Sequence, residues 1–279
     1  RADYVILALG GCSTRDFGTA IDEHGAAIAG DASDMNCGEG IDVCQLALHG
    51  VQLQLAQAIR ETGTPMVAAL IEGRPHSLEW FADHCPALLT AWYPGIDGGI
   101  AVAEAIFGAI NPSGRLAASI PRCDGQLPVN YNRYPRVPSD YCDGPDSPRY
   151  GFGYGLSYTR FELSDLTAGD ISLDALTRGG RVEVELTAAN RGERAGRAVV
   201  QLYVRDVRAS VLRRVRELKA FDKIDLAPGE SRRVQLSLGF DELALYDAQM
   251  RRRVEPGAFL LTATDGSGDA IETTVWVTP

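Results

Sequence analysis

Two hydrophobic periods divide the chain. Over residues 1 to about 122, short apolar runs alternate with segments whose apolar positions recur every three or four residues. Tyr4 to Leu9 reads as a buried strand. Leu46 to Glu61 reads as an amphipathic helix carrying Leu46, Val51, Leu53, Leu55, Ala58 and Ile59. Met66 to Ile71 is predicted as a second strand, His76 to His84 as a short helix, Ala87 to Trp92 as a third strand, and Ile100 to Phe107 as a helix ended by Gly108. Strands that alternate with helices predict a largely parallel sheet covered on both faces, that is, a three-layer α/β sandwich.

From about residue 158 the period becomes two. Arg181 to Ala188 alternates polar with apolar, Val199 to Val204 repeats the theme, and Ser231 to Leu238 and Phe259 to Ala263 follow. The turns Asn190-Arg191-Gly192 and Pro228-Gly229-Glu230 separate these runs. Several short strands in about 120 residues predict an all-β immunoglobulin-like sandwich. No Cys, Trp, Cys series of the antibody kind is present, so the fibronectin type III-like variant is expected. Residues 123–157 show neither period and are rich in proline and tyrosine, which predicts an ordered connector between domains at 1–122 and 158–279.

Composition narrows the function. Hydrophobic residues make up 45% and charged residues 23% of 279, values of a folded globular protein, and no apolar run approaches the roughly 18 residues that span a bilayer. The formal charge of −10 repels phosphate backbones, so neither nucleic acid nor membrane is an expected partner. Arg1 lies three residues before the first strand, with no targeting pattern ahead of it. The chain therefore reads as beginning inside a longer protein, and its compartment is left open. Six cysteines, at 12, 37, 44, 85, 123 and 142, are too sparse for a disulfide framework. No spacing among them supports a zinc site, so neither a metal nor a cofactor is expected.

The motif search is mostly negative. There is no G-x-S-x-G elbow, phosphate loop or H-E-x-x-H helix, and Gly10-Gly11 lacks the third glycine of a dinucleotide fingerprint. What stands out is Asp34-Met35-Asn36-Cys37-Gly38-Glu39-Gly40-Ile41-Asp42, inside a loop of about 35 residues between the first strand and the first long helix. Loops of that length in compact domains are uncommon unless functional. A carboxyl group between glycines can sit on bare backbone close to a ligand and serve as a general acid; a solvated loop residue is the plainer reading of Glu39. Arg15, Asp16 and His76 are placed in or near loops that can approach a ligand, with solvated or capping roles as the plainer reading.

A family resemblance changes that balance. Cys37-Gly-Glu-Gly-Ile-Asp42, Leu46-Ala-Leu-His-Gly-Val-Gln52, Thr62-Gly-Thr-Pro-Met-Val67, Glu72-Gly-Arg-Pro75, Ala91-Trp-Tyr-Pro-Gly95 and Phe107-Gly-Ala-Ile-Asn-Pro-Ser-Gly-Arg-Leu116 resemble, in order, the C-terminal α/β sandwich of glycoside hydrolase family 3. Tyr150-Gly-Phe-Gly-Tyr-Gly-Leu-Ser-Tyr-Thr159 is similar to that family's entry into its fibronectin type III-like domain. Asn190 to Gly196, Val200 to Asp206, Glu217 to Phe221 and Leu226 to Ser231 continue the likeness.

The resemblance implies an exo-acting, retaining β-glucosidase or β-xylosidase that uses two carboxylates roughly 5 Å apart. In that family the nucleophilic aspartate comes from an N-terminal (β/α)8 barrel and the acid/base glutamate from a loop of the α/β sandwich. The glutamate maps to Glu39, and no residue here matches the barrel motif. The expected partners are therefore a β-linked oligosaccharide or glycoside and the barrel of the same protein, and the isolated chain is expected to be inactive. Three departures accompany the likeness: Val43 follows Asp42 where the family usually has arginine, Ala117-Ala118 replaces Leu-Pro, and Arg214 stands where proline is usual.

The alternative is a non-catalytic carbohydrate-binding or scaffolding protein derived from such an enzyme, with Trp92, Tyr93, Tyr131 and Tyr134 as stacking surfaces. The basic groups Arg205, Arg208, Arg213, Arg214, Arg216 and Arg251-Arg252-Arg253 are expected to be solvated or ion-paired, with anionic polysaccharide as the sharper alternative.

Overall fold

The computed structural model describes residues 2–13, 22–25, 35–38, 40–136 and 140–279. The chain divides into two compact units. The first comprises residues 1–109, 119–129 and 141–150; the second comprises 110–118, 130–140 and 151–279. No helix among the described residues is long and apolar enough to cross a membrane.

The first unit is the α/β part. Its strands β1 (Val5–Gly10), β2 (Met66–Ile71) and β3 (Ala87–Thr90) form a parallel sheet in the order β1-β2-β3 among the described residues. The register runs from Val5 opposite Met66 to Gly10 opposite Ile71, and from Val67 opposite Ala87 to Leu70 opposite Thr90. Helices α1 (Gln52–Glu61), α2 (Glu79–His84) and α3 (Gly98–Ile106) alternate with these strands. Met66, Ala68, Ala69 and Leu70 are buried from both sides of β2, as a central parallel strand requires. The edge strand β1 differs. Leu7 and Leu9 are buried, while Ile6 and Ala8 on the opposite face are exposed.

Helix α1 is shorter than its apolar spacing predicts. Leu46 and Leu48 are buried, but not on a helix: the Leu46 N–H donates to Asp124 Oδ1 at 2.7 Å, and Gly50 has φ +67°. That backbone conformation cannot continue a right-handed helix, so α1 starts two residues later. Its end is conventional, with Thr62 and Gly63 donating to the carbonyls of Ile59 and Arg60. Residues 119–129 and 141–150 are tied to the α/β unit by Gln126, whose Nε2 reaches the carbonyls of Pro145 and Ser147, and by the ion pairs Arg122–Glu79 and Arg149–Asp83.

The second unit is a β-sandwich. Its elements are β4 (Phe161–Ala168), β5 (Ile171–Ser172), α4 (Leu173–Thr177), β6 (Val182–Asn190), β7 (Gly196–Asp206), β8 (Glu217–Leu226), β9 (Ser231–Leu238), α5 (Phe240–Leu243), β10 (Leu245–Tyr246), β11 (Arg252–Arg253), β12 (Gly257–Thr264) and β13 (Ala270–Thr278). One sheet has the order β5-β13-β12-β7-β8 and the other β4-β6-β9, with β10 and β11 pairing as a separate ribbon. Among the described residues of this unit, only β5–β13 pairs in parallel. Period-two alternation turns Val182, Val184, Leu186 and Ala188 of β6 inward against Ala198, Val200, Leu202 and Val204 of β7, with Phe259, Leu261, Ala263, Val275 and Val277 completing the core.

Candidate functional site

The polar residues of the α/β unit gather at the C-terminal ends of β1 and β2, where ligands bind in open parallel sheets. At the end of β1, Gly10 has φ +143°, and a side-chain carbon there would lie 1.8 Å from the Ile71 carbonyl oxygen. A bare backbone is the only solution that lets β1 pair to its last residue. Gln52, the first residue of α1, clamps this end: its Oε1 accepts from Gly10 N–H at 2.8 Å and its Nε2 donates to Gly10 O at 2.9 Å. An open depression of about 400 Å³ lies here, lined in part by Gly11, Cys12, Asn36, His49 and Gln52.

The loop singled out in the sequence is fastened to this end on both sides of position 39. On its N-terminal side, Asn36 N–H donates to Cys12 O at 3.0 Å while Asn36 Oδ1 accepts from Cys12 N–H at 2.8 Å. Asn36 Nδ2 also lies 3.2 Å from His49 Nδ1. Cys37 is buried with its Sγ 2.5 Å from the Tyr93 hydroxyl, and partial burial together with this thiol pushes the Tyr93 phenol above the usual tyrosine range. Tyr93 is aimed by Trp92, whose φ of +52° is a strained conformation for a bulky residue, and its ring crosses the bare face of Gly73.

On the C-terminal side, Arg74 donates from Nη2 to Ile41 O at 2.7 Å and from Nη1 to Asp42 Oδ1 at 3.0 Å. The Val43 N–H, followed by Arg74, holds the Asp42 carboxyl below its ordinary range. Val43 follows Asp42, and the carboxylate pairs with Arg74 of the Gly73-Arg74-Pro75 segment. Between the anchors, Gly38 at φ +128° and Gly40 at φ +76° occupy backbone conformations that favour glycine.

Glu39 itself lies outside the described residues, as do Arg15 and Asp16. His76 is within them but is not a surface residue. It is fully buried, with Nδ1 3.0 Å from Leu46 O and Nε2 4.0 Å from Glu72 Oε2. Glu72 is also fully buried. Desolvation raises its carboxyl to about 7, opposed only in part by the Thr90 hydroxyl. Sequence reasoning missed Glu72, Arg74, Asn36 and Tyr93 as a group, because the contacts of Arg74, Asn36 and Tyr93 join segments more than ten positions apart and Glu72 meets His76 outside any helix.

Residues 1–158 match the glycosyl hydrolase family 3 C-terminal domain. The chain belongs to that family. Residues 198–267 match a fibronectin type III-like domain. A β-xylosidase of Formosa agariphila is 41% identical over 235 residues, covering 83% of this chain and 32% of the xylosidase. A periplasmic β-glucosidase of Salmonella typhimurium is 38% identical over 244 residues, covering 84% of this chain and 31% of that enzyme. The crystal structure of a β-glucosidase from Listeria innocua in complex with glucose superposes with a TM-score of 0.84 at 34% identity, covering 99% of this chain and 37% of that one. The family 3 chain thus spans about a third of the length of the relatives it matches.

Other features of the family 3 chain engage its own residues. The Tyr131 ring stacks on Phe152 with centroids 4.2 Å apart, and the Arg214 guanidinium lies 4.8 Å from the Tyr134 ring centroid. At each of these two aromatics, part of the proposed stacking surface is therefore occupied by protein. Arg213 pairs with Glu217, Arg251 with Asp247 and Arg252 with Asp241, so these arginines of the two basic runs are ion-paired within their own unit. All six cysteines are free thiols.

Proposed function

We propose that this chain is the acid/base half of an exo-acting, retaining β-glucosidase or β-xylosidase, with Glu39 as the proton donor and an upstream (β/α)8 barrel supplying the nucleophile. The observation that carries the reading is the double anchorage of the loop. Asn36 and Cys37 fix one side, Ile41 and Asp42 fix the other, and two glycines in left-handed conformations flank the one carboxyl-bearing position between them. A loop fastened at both ends is what a general acid crossing to a second domain requires.

Glu39 first protonates the glycosidic oxygen as the barrel aspartate attacks the anomeric carbon. It then removes a proton from the water that hydrolyses the glycosyl-enzyme. Each role contributes about 10²- to 10⁴-fold. Names of relatives support both sugars, so glucoside and xyloside activities are the pair to assay.

The test uses the complete enzyme. Glu39→Ala is expected to abolish hydrolysis of alkyl β-glycosides, to spare aryl glycosides with good leaving groups, and to recover turnover with azide. An unchanged rate on a poor-leaving-group substrate would remove Glu39 from the mechanism. The 279-residue chain alone is expected to show no hydrolysis.

A further inference from the structure

Behind the loop anchors lies a pair of buried ionisable groups that the proposed hydrolysis does not use. Glu72 follows β2, and its N–H donates to Trp92 O at 3.2 Å, fixing its backbone between the ends of two strands. Its side chain is fully buried, and the Thr90 hydroxyl, which lowers its pKa only in part, stands outside good hydrogen-bond geometry, so neither carboxyl oxygen is satisfied among the described residues. His76 is equally buried. Because Leu46 O can only accept, His76 Nδ1 carries a hydrogen, and its Nε2 faces Glu72 Oε2 at 4.0 Å with no other partner among the described residues.

The same Nε2 belongs to the packing that anchors the loop. A side-chain carbon on Gly11 would lie 2.9 Å from Asn36 Oδ1, 3.1 Å from Cys37 Sγ and 3.6 Å from His76 Nε2. Both loop anchors and the buried imidazole therefore converge on one bare α-carbon. Among the described residues, the ionisable and polar groups around the pair include the His49 ring, 6.3 Å from that of His76, the Arg74 guanidinium, the Cys37 thiol, the Tyr93 phenol against Gly73, and the Thr90 hydroxyl from β3.

We propose that Glu72 and His76 hold one proton between them and act as positioning residues for the loop that carries Glu39. With the proton on the carboxyl, the pair is neutral and the packing around Gly11 stays closed. Loss of the proton leaves a buried carboxylate 4.0 Å from the imidazole that packs with the Asn36 and Cys37 anchors at Gly11, and the anchors loosen. Burial places the carboxyl's titration near neutrality, and burial with the nearby His49 and Arg74 keeps the imidazole below its ordinary range. The consequence for hydrolysis rests on the acid/base reading of Glu39; the shared proton does not.

The test is made first on the 279-residue chain. Infrared spectra are expected to contain a protonated-carboxyl band that titrates near neutral pH and is missing in Glu72→Gln. Hydrogen exchange at the Asn36 and Cys37 amides, both bonded to Cys12 O, is expected to rise about tenfold beyond the ordinary base-catalysed increase between about pH 6 and about pH 8, and Glu72→Gln should remove that excess. In the complete enzyme, Glu72→Gln should shift the alkaline limb of kcat, while azide rescue of Glu39→Ala reports separately on the acid/base reading. A wild-type spectrum without the band, a band that survives Glu72→Gln, or exchange that follows base catalysis alone overturns the proposal, and the wild-type measurements do so even if the variant fails to fold.

Discussion

Arg74 holds Asp42 across 32 positions of sequence, yet the stronger half of its grip is on the neighbouring backbone. The Asp42 carboxylate is almost fully exposed, so water screens its pairing with Nη1 at 3.0 Å. The Ile41 carbonyl, at 2.7 Å from Nη2, is reached by a guanidinium that is 19% exposed. A charge-assisted hydrogen bond in that setting contributes about 1.5–3 kcal/mol. Asp42→Asn is therefore expected to leave amide exchange at Gly40 and Ile41 close to wild type, whereas Arg74→Met should accelerate it roughly tenfold or more. Equal effects of the two variants would show that the ion pair, not the carbonyl contact, fixes the loop.

At the other end of the site, Gly10→Ala is expected to be among the most damaging single-methyl changes in the α/β unit. The added carbon would sit 1.8 Å from Ile71 O and 2.6 Å from Ile71 C, both backbone atoms that cannot swing aside. Relief requires losing the end of the β1–β2 pairing, the Gln52 clamp and the Gly11 N–H to Ile71 O bond. At about 1 kcal/mol per hydrogen bond plus the conformational strain, the expected loss is roughly 3–5 kcal/mol. Gly63→Ala, at φ +74° with nothing within 4 Å, should cost only about 1 kcal/mol and serves as the control in urea unfolding.

These contacts explain why the fold was more legible than the site. Met66–Ile71 and Ser231–Leu238 coincide with their predicted spans, because an unbroken apolar run and a strict alternation are both local signals. Leu46 and Leu48 misled the helix boundary: they are apolar to fill a core, and the Leu46 N–H is taken by Asp124, 78 positions away, rather than by a helix. The glycine pair at 10 and 11 was visible, but its purpose was not, since Ile71, Asn36 and His76 reach it from three other segments. Glu72 and His76 are four apart without sharing a helix, so no spacing rule brings their side chains together. Glu39 stood out by its glycine-flanked place in a long loop, but only family likeness raised it above a solvated loop residue.

In the β-sandwich, Asn190 uses its whole amide. Nδ2 donates to Arg194 O at 2.7 Å and Leu226 O at 3.1 Å, while Oδ1 accepts from Thr159 Oγ1 at 2.5 Å and Gly192 N–H at 3.1 Å. The residue is fully buried at the end of β6. Asn190→Ala leaves several polar groups without a partner, and the expected destabilisation is about 2–4 kcal/mol, read by thermal unfolding of the sandwich. Asn190→Asp retains the acceptor but faces two carbonyls with a carboxylate, so it should be at least as damaging above about pH 5 as the alanine variant. A near-neutral Asn190→Asp would show that the turn, not the amide, organises this end.

Glu72 makes the stability of the α/β unit depend on pH in a direction opposite to that of an ordinary paired carboxylate. Its folded pKa, about 7, lies above the unfolded value of 4.5, so between those values the folded state binds the proton more tightly. The stability it contributes is complete below about pH 4.5 and is lost as pH rises through about 7. His76 acts with the opposite sign: its folded pKa is depressed below 6.5, so its contribution is lost as pH falls through the folded value. Glu72→Gln leaves the histidine in place and removes the carboxyl titration, so the comparison of variant with wild type separates the two. From about pH 5 to about pH 8 the stability of Glu72→Gln should improve relative to wild type by roughly 2–3 kcal/mol. Trp80 and Trp92 report on this unit and Trp276 on the sandwich, so the urea midpoints are best read by fluorescence in a Trp276→Phe background. Parallel pH dependences in wild type and Glu72→Gln would mean that the buried carboxyl titrates in its ordinary range, and the neutral pair behind the loop would have to be abandoned.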